Sequence, residues 1–267
     1  MRDKEPIAHV REDGQVHSLR ERLEEVADKA ATFAEHFASS DWAWNAGLLH
    51  DLGKADTSFQ AYIHRENGMD DSEYDSAGKN RVNHSSAGAA FAEDHFNRTD
   101  LPIGRVIAYL AAGHHAGLPD WYPTDTGNAA LQVRLDEGNA NSALIRAVAD
   151  GLVAELCPDI KPPFFVRSEN FHLWLRILYS CLVDADFLDT EDFMKPEQGQ
   201  SRPAWARGLT SPRDGDIFRL ESAAWRAVSS VLATLKVSAV VSGPGLFLNA
   251  VISQADMFSQ NKVIEAV

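Results

Sequence analysis

The sequence predicts an all-α protein, on three observations. Apolar residues recur at the three- and four-residue spacing of helices through most of the chain. Capping and stop residues fall where those runs begin and end. No alternation of apolar and polar residues is long enough to build a sheet, and Val237–Val241 alone reads as a short strand.

The elements follow in order. Ser18 and Glu21 have capping-box spacing, so a helix starts at Ser18. Its inward face is Leu19, Leu23, Val26, Ala30, Phe33 and Phe37. A second helix carries Trp42, Ala46 and Leu49 and ends near Gly53, a C-cap residue type. A short helix over 59–64 comes next. Residues 65–83 are polar and rich in Gly, Ser and Asp, the composition of a loop. Helix resumes at His84 and runs to Phe96. Pro102 occupies the first turn of a helix reaching His115, which Gly117-Leu118-Pro119 stops. The stretch 117–127, with Trp121, Tyr122 and Pro123, reads as a surface loop. Another helix spans 139–156 and ends at Pro158. Ser168 caps a helix whose inward residues are Phe171, Trp174, Leu175, Leu178, Cys181, Leu182 and Ala185. After Gln198 the character changes to a linker over 198–215, a helix near 217–235 and an apolar end. This divides the chain into a domain over 1–197 and an extension over 198–267 of unassigned role.

Composition bounds the function. The chain of 267 residues has 25 Lys+Arg against 39 Asp+Glu, a formal charge of −14. A protein this acidic does not hold nucleic acid by long-range attraction to phosphate. Residues 1–100 contain 20 acidic and 11 basic side chains, so the negative charge gathers where the candidate ligands lie and favours dependence on a cation. The two cysteines, Cys157 and Cys181, form no CxxC pair and read as small apolar residues in a reducing compartment. The polar start MRDKEP has no signal-peptide core. No apolar run reaches the ~20 residues of a membrane helix. A soluble, cytoplasmic protein is expected, with no membrane partner.

The chemistry concentrates in an ordered set of imidazoles and carboxylates. His50-Asp51 ends one predicted helix and is followed by Lys54. His84 opens another, and His114-His115 ends a third. Asp186 continues the apolar stripe Trp174–Leu178–Leu182, where a carboxylate needs a partner or a cation. Imidazole and carboxylate together suit divalent metals such as Mn, Fe, Co, Ni or Zn. Residues from four helices converge only inside a bundle. Each piece alone has an ordinary reading: a chance His-Asp pair, a polar helix start, a surface His pair, an ion-pair partner.

The order His-Asp, His, His-His, Asp resembles the HD phosphohydrolase superfamily. Within it, GLLHDLGKADTSFQAYI (47–63), RVNHSSAGA (81–89), AAGHHAGLPD (111–120) and SCLVDADFLDTE (180–191) resemble the HD nuclease domain of the CRISPR type I helicase–nuclease. The opening AHVREDGQVHSL is similar to that domain's first segment, and the resemblance covers about 8–195. It implies an HD-domain helical bundle with a central metal site. It implies a nuclease that cuts single-stranded DNA with metal-activated water in CRISPR antiviral interference, partnered by a helicase and a surveillance complex. Carried over by position, His50, Asp51 and Asp186 hold one divalent ion. His84, His114 and His115 hold a second, with Asp51 bridging as a catalytic ligand. Asp184 is the near alternative to Asp186.

Lys54 either points at the scissile phosphate or is a solvated cation at a helix end. Trp121 and Tyr122 either stack on unpaired bases or anchor their loop. One departure stands out: ERLEEVA places Arg22 where the family has a histidine ligand, and a guanidinium cannot ligate a metal. Arg22 then meets a phosphate, or pairs with Asp51 and takes the first site. His17 or His9 would have to compensate, and His17 otherwise reads as a solvent-exposed residue before the cap. The competing functions are an HD phosphohydrolase acting on nucleotides and an interaction subunit with impaired catalysis.

Overall fold

Ser18 opens the first long helix in the way its spacing to Glu21 predicts. Its Oγ accepts from the Glu21 N–H at 3.2 Å, and the Glu21 carboxylate accepts from the Ser18 N–H at 3.3 Å. The computed structural model describes residues 5–69, 84–96, 102–123, 129–137 and 143–202. In chain order these hold α1 (Leu19–Ala34), α2 (Ser40–Leu49), α3 (Thr57–Glu66), α4 (Ser85–Phe96), α5 (Ile103–Gly113), α6 (Leu131–Glu137), α7 (Ala143–Leu152), α8 (Phe171–Met194) and α9 (Pro196–Ser201). The all-α class predicted from periodicity is the class observed.

Helix α2 is the hub of the bundle, because it meets α1, α4, α5 and α8. Its own sequence explains this: Trp42, Ala43, Ala46, Leu48 and Leu49 are buried around most of its circumference. Leu19, Leu23 and Val26 of α1, Ile107 and Leu110 of α5, and Leu178 and Leu182 of α8 close the core around it. Trp42 meets Trp174 edge to face with centroids 5.1 Å apart. Both indole N–H groups are satisfied, on the Lys161 carbonyl at 3.0 Å and Ser39 Oγ at 2.9 Å. Phe33, Phe37 and Phe171 pack against this core only partly buried.

Several elements differ from the sequence reading. Ile7–Val10 (β1) and Val16–Ser18 (β2) pair as an antiparallel hairpin that the pattern did not reveal. Three- and four-residue strands are too short to show alternation, and the signal is instead Asp13-Gly14, with Gly14 at φ 84° in the turn. Gln60 then ties β1 to the bundle: its Oε1 accepts from the Ile7 N–H at 2.9 Å, and its Nε2 donates to the carbonyls of Ile7 and Lys54. Helix α6 was not foreseen. Only Leu131 of it is buried, so its periodicity is faint. Helix α5 stops at Gly113, two residues before the expected end, and leaves His114 and His115 in the turn that follows. Asn170, not Ser168, stands at the start of α8; its Oδ1 accepts from the Arg167 N–H at 2.7 Å. The helix expected over 139–156 is α7 followed by the 3-10 turn Val153–Glu155. Cys181 is buried as expected, whereas Cys157 is partly exposed; both are free thiols.

Gly53 is not a left-handed helix cap. It lies in a 3-10 turn (Leu52–Ala55) and donates its N–H to the His84 carbonyl at 3.1 Å. A Cβ there would fall 2.2 Å from that oxygen. Gly88 has the same character, since its Cβ would fall 1.7 Å from the Leu49 carbonyl. Two absent side chains therefore let α4 close on the end of α2.

The boundary expected at 197/198 falls within α9, which packs on α8. Helix stands at 65–66, the end of α3, and at 198–201, in α9, where a loop and a linker are expected; the linker from 203 on and most of the loop over 65–83, with the helix near 217–235 and the strand at 237–241, lie outside the described residues. Among the described residues no helix is long and apolar enough to cross a membrane.

The close approach at Gly53 yields a test by thermal unfolding. Gly53→Ala is expected to destabilise the fold by about 1–3 kcal/mol, because backbone must move to admit the methyl group. Gly151→Ala, at an exposed position of α7, meets only the tip of Arg20, at 3.5 Å, and is expected to be neutral or stabilising by up to about 1 kcal/mol.

Candidate metal centre

Three chain segments end at one place. The end of α2 delivers His50 and Asp51, the residue before α4 delivers His84, and the turn after α5 delivers His114 and His115. The fold braces each delivery. Tyr179 of α8 donates its hydroxyl to the Gly113 carbonyl at 3.1 Å. Arg134 of α6 reaches the Ala112 carbonyl and Ser85 Oγ, so one side chain links the end of α5 to the start of α4.

The imidazoles are set for ligation. Nδ1 of His50 lies 2.7 Å from the Gly47 carbonyl, and Nδ1 of His114 lies 2.7 Å from the Ala111 carbonyl. A carbonyl only accepts, so both rings carry a proton on Nδ1, and Nε2 is the atom each turns toward the carboxylates and would offer to an ion. Both Nε2 atoms are buried without a hydrogen bond, as is Asp51 Oδ1. Asp51 Oδ1 is 3.3 Å from His114 Nε2 and 3.5 Å from His84 Nε2, and His84 Nε2 is 2.7 Å from His115 Nε2. One donor atom from each of Asp51, His84, His114 and His115 lies within 4.8 Å of the others. Ligands held at ~2.0–2.2 Å around one ion are spaced about 3–4 Å from each other, so this set fits a divalent cation.

The other oxygen of Asp51 faces fixed cations. Oδ2 accepts from Arg22 Nε at 3.0 Å and from Lys54 Nζ at 2.9 Å, and His50 Nε2 is 3.3 Å away. Arg22, only 2% exposed, spends the rest of its fork on Asp186 Oδ1, on Asp189 Oδ2 at 3.2 Å and on Thr190 Oγ1 at 3.1 Å. Lys29 completes Asp189 at 2.8 Å. Three buried carboxylates thus meet three cations: Arg22, Lys54 and Lys29.

The electrostatics follow from this packing. Burial opposes the charge of Asp51, but Lys54, His50 and His114 outweigh it and hold its pKa well below the ordinary range. Burial likewise opposes charge on His50, yet Asp51 and Asp186 raise it from 6.5 to about 9. His115 is lowered to about 4 by burial and its histidine neighbours, so its ring is neutral at pH 7. Burial pushes Lys54 down, against the pull of Asp51.

The residues singled out in the sequence divide clearly. His50, Asp51, His84, His114, His115, Asp186, Lys54 and Arg22 come together. Lys54 is neither solvated nor turned outward; it is buried between Asp51 and His9, whose Nε2 is 3.2 Å from Nζ. His17 is not exposed and joins no ligand of this cluster. It is buried, stacked on Phe193 with centroids 4.6 Å apart, and paired with Glu25 at 3.3 Å. His17, Glu25 and Asp189 also group closely, but Asp189 is already taken by Arg22 and Lys29. Trp121 carries the Arg105 guanidinium over its ring at 3.9 Å, an anchoring contact, while Tyr122 is exposed. Asp184 stands apart from the donor set, partly buried on α8. The sequence reading missed Asp189 and Gln60. The signal for Asp189 was its place three residues after Asp186, on the same helix face.

Asp184 supplies a test with a definite sign. Burial raises its pKa from 3.8 to about 6. The native state therefore binds this proton more tightly than the unfolded chain, and stability falls as pH rises between those values. Asp184→Asn is expected to stabilise the protein above pH 6 by on the order of 1–3 kcal/mol, with the gain vanishing below about pH 4. Unfolding curves across that range check it.

Among known families, a model described as Cas3, HD domain matches residues 8–181. The match stops before Asp184, Asp186 and Asp189. No curated protein matches the chain.

Proposed function

The chain belongs to the Cas3 HD-domain family, and on that premise we propose that it is a metal-dependent deoxyribonuclease that cleaves single-stranded DNA in CRISPR interference. The observation that carries this reading is the convergence of Asp51, His84, His114 and His115 with donor atoms within 4.8 Å. A divalent transition ion (Mn, Fe, Co or Ni) held there supplies Lewis acidity and lowers the pKa of its water.

The chain's own residues do the rest. Asp51 would hold the ion through Oδ1, the oxygen that faces His84 and His114. His114 presents Nε2 because its Nδ1–H is committed to the Ala111 carbonyl. His84 and His115 form the outer wall: His84 is partly exposed and His115 exposed, so substrate approaches from their side. His50, Asp186 and Arg22 close the floor. Lys54 fixes Asp51 from behind and is a positioning residue. Its ammonium and the Arg22 guanidinium neutralise the buried carboxylates, so the positive charge that meets a phosphodiester would come from the bound ion. Tyr122 remains a candidate for stacking on an unpaired base.

The net charge of −14 bears on partners. A domain this acidic captures DNA poorly by itself, so delivery of an unwound strand by a helicase and a surveillance complex in the cytoplasm completes the proposal.

The test uses the purified chain with Mn²⁺, Co²⁺ or Ni²⁺ and labelled single-stranded oligonucleotides. Cutting is expected with metal and lost with EDTA. Asp51→Ala, checked for fold by circular dichroism, is expected to abolish it. Cutting that survives Asp51→Ala overturns the assignment of the centre. Turnover of nucleotides in place of oligonucleotides replaces the nuclease with a small-molecule phosphohydrolase.

A further inference from the structure

We propose that Arg22 takes the place of one cation, so that this centre holds a single divalent ion, on the histidine side of Asp51. The inference rests on reading the cluster as a metal centre, but not on any nuclease activity.

Asp51 is divided between two environments. Its Oδ1 faces His84 and His114 and has no hydrogen bond. Its Oδ2 faces Arg22, Lys54 and His50. On the Oδ2 side, His50 Nε2 is 3.3 Å from Asp51 Oδ2 and 3.4 Å from Asp186 Oδ1. Those three atoms have the spacing of ligands around an ion. Yet both carboxylate oxygens also bond the Arg22 guanidinium, which is itself buried. An ion among them would have to displace or approach a charge that cannot be neutralised. The carboxylates are moreover balanced already: Asp51, Asp186 and Asp189 against Arg22, Lys54 and Lys29.

A second grouping, His50, His114 and Asp186, does not add a site. It draws on the same His114 that the first grouping uses. His114 Nδ1 is committed to a carbonyl, so its one remaining lone pair serves one ion only. Its Asp186 is the carboxylate that Arg22 holds. On the histidine side, Asp51 Oδ1 and His114 Nε2 meet no cation among the described residues, and the donors are one carboxylate oxygen and three imidazoles.

The experiment counts ions per chain. The protein is stripped with chelator, titrated with Co²⁺ or Mn²⁺, and read by calorimetry and elemental analysis. Wild type is expected to bind one ion. Arg22→His replaces the cation with a ligand beside His50, Asp51 and Asp186, and is expected to bind two. Because Arg22→His leaves the fold at risk, Asp186→Asn and His115→Ala form a second arm. Asp186→Asn is expected to keep one ion with affinity within a fewfold of wild type, whereas His115→Ala loses about tenfold or more. Two ions on wild type, one ion on folded Arg22→His, or equal losses in the second arm would each overturn the inference. Two ions on wild type with DNA cutting intact leaves the nuclease reading standing. One ion without cutting does the reverse.

Discussion

The guanidinium of Arg22 is the contact on which the interior depends. It stands at the meeting of α1, the end of α2 and α8, and it bonds carboxylates from two of those elements while rooted in the third. Each carboxylate is buried, and none is tolerable there without a counter-charge. A buried charge deprived of its partner costs on the order of 3–5 kcal/mol. The planar fork of arginine meets several carboxylates at fixed angles, which a lysine's single ammonium does not. The same contact sets the orientation of Asp51, and so decides which of its oxygens faces the histidines.

The rest of the centre is positioned by backbone as much as by side chains. Gly53 and Gly88 remove the atoms that would hold α4 away from α2, and the Gly53 N–H then fixes the His84 carbonyl. Arg134 and Tyr179 fasten the last carbonyls of α5, so the His114–His115 turn has little room to drift. Gln60 binds the edge of β1 to the Lys54 carbonyl, which brings His9 against the Lys54 ammonium. These braces come from parts of the chain that carry no ligand. Their substitution would loosen the geometry with no change in the donors.

What could be read from the sequence was what is local. The Ser18–Glu21 box is a four-residue event, and it forms as spaced. The apolar stripe of α8 survives burial because its period is intrinsic to the helix. The grouping of His50, Asp51, His84, His114, His115 and Asp186 was legible through their order along the chain. Direction was not. Lys54 turns inward because Asp51 and His9 wait there, and His17 is buried because Phe193 covers it. Such outcomes depend on segments far away in sequence. The identity of Gly53 was misread for the same reason: cap and close approach need the same residue type, and only the partner segment tells them apart.

The balance of three carboxylates by three side-chain cations has a consequence for biogenesis. In many metalloproteins the ion is part of the folding reaction, and the apoprotein collapses or repels itself until it is loaded. Here the charges that would repel are already matched by groups the ribosome supplies. On the proposed reading such a chain would fold without its ion and take it up afterwards, so its activity would follow the supply of metal and not the rate of synthesis.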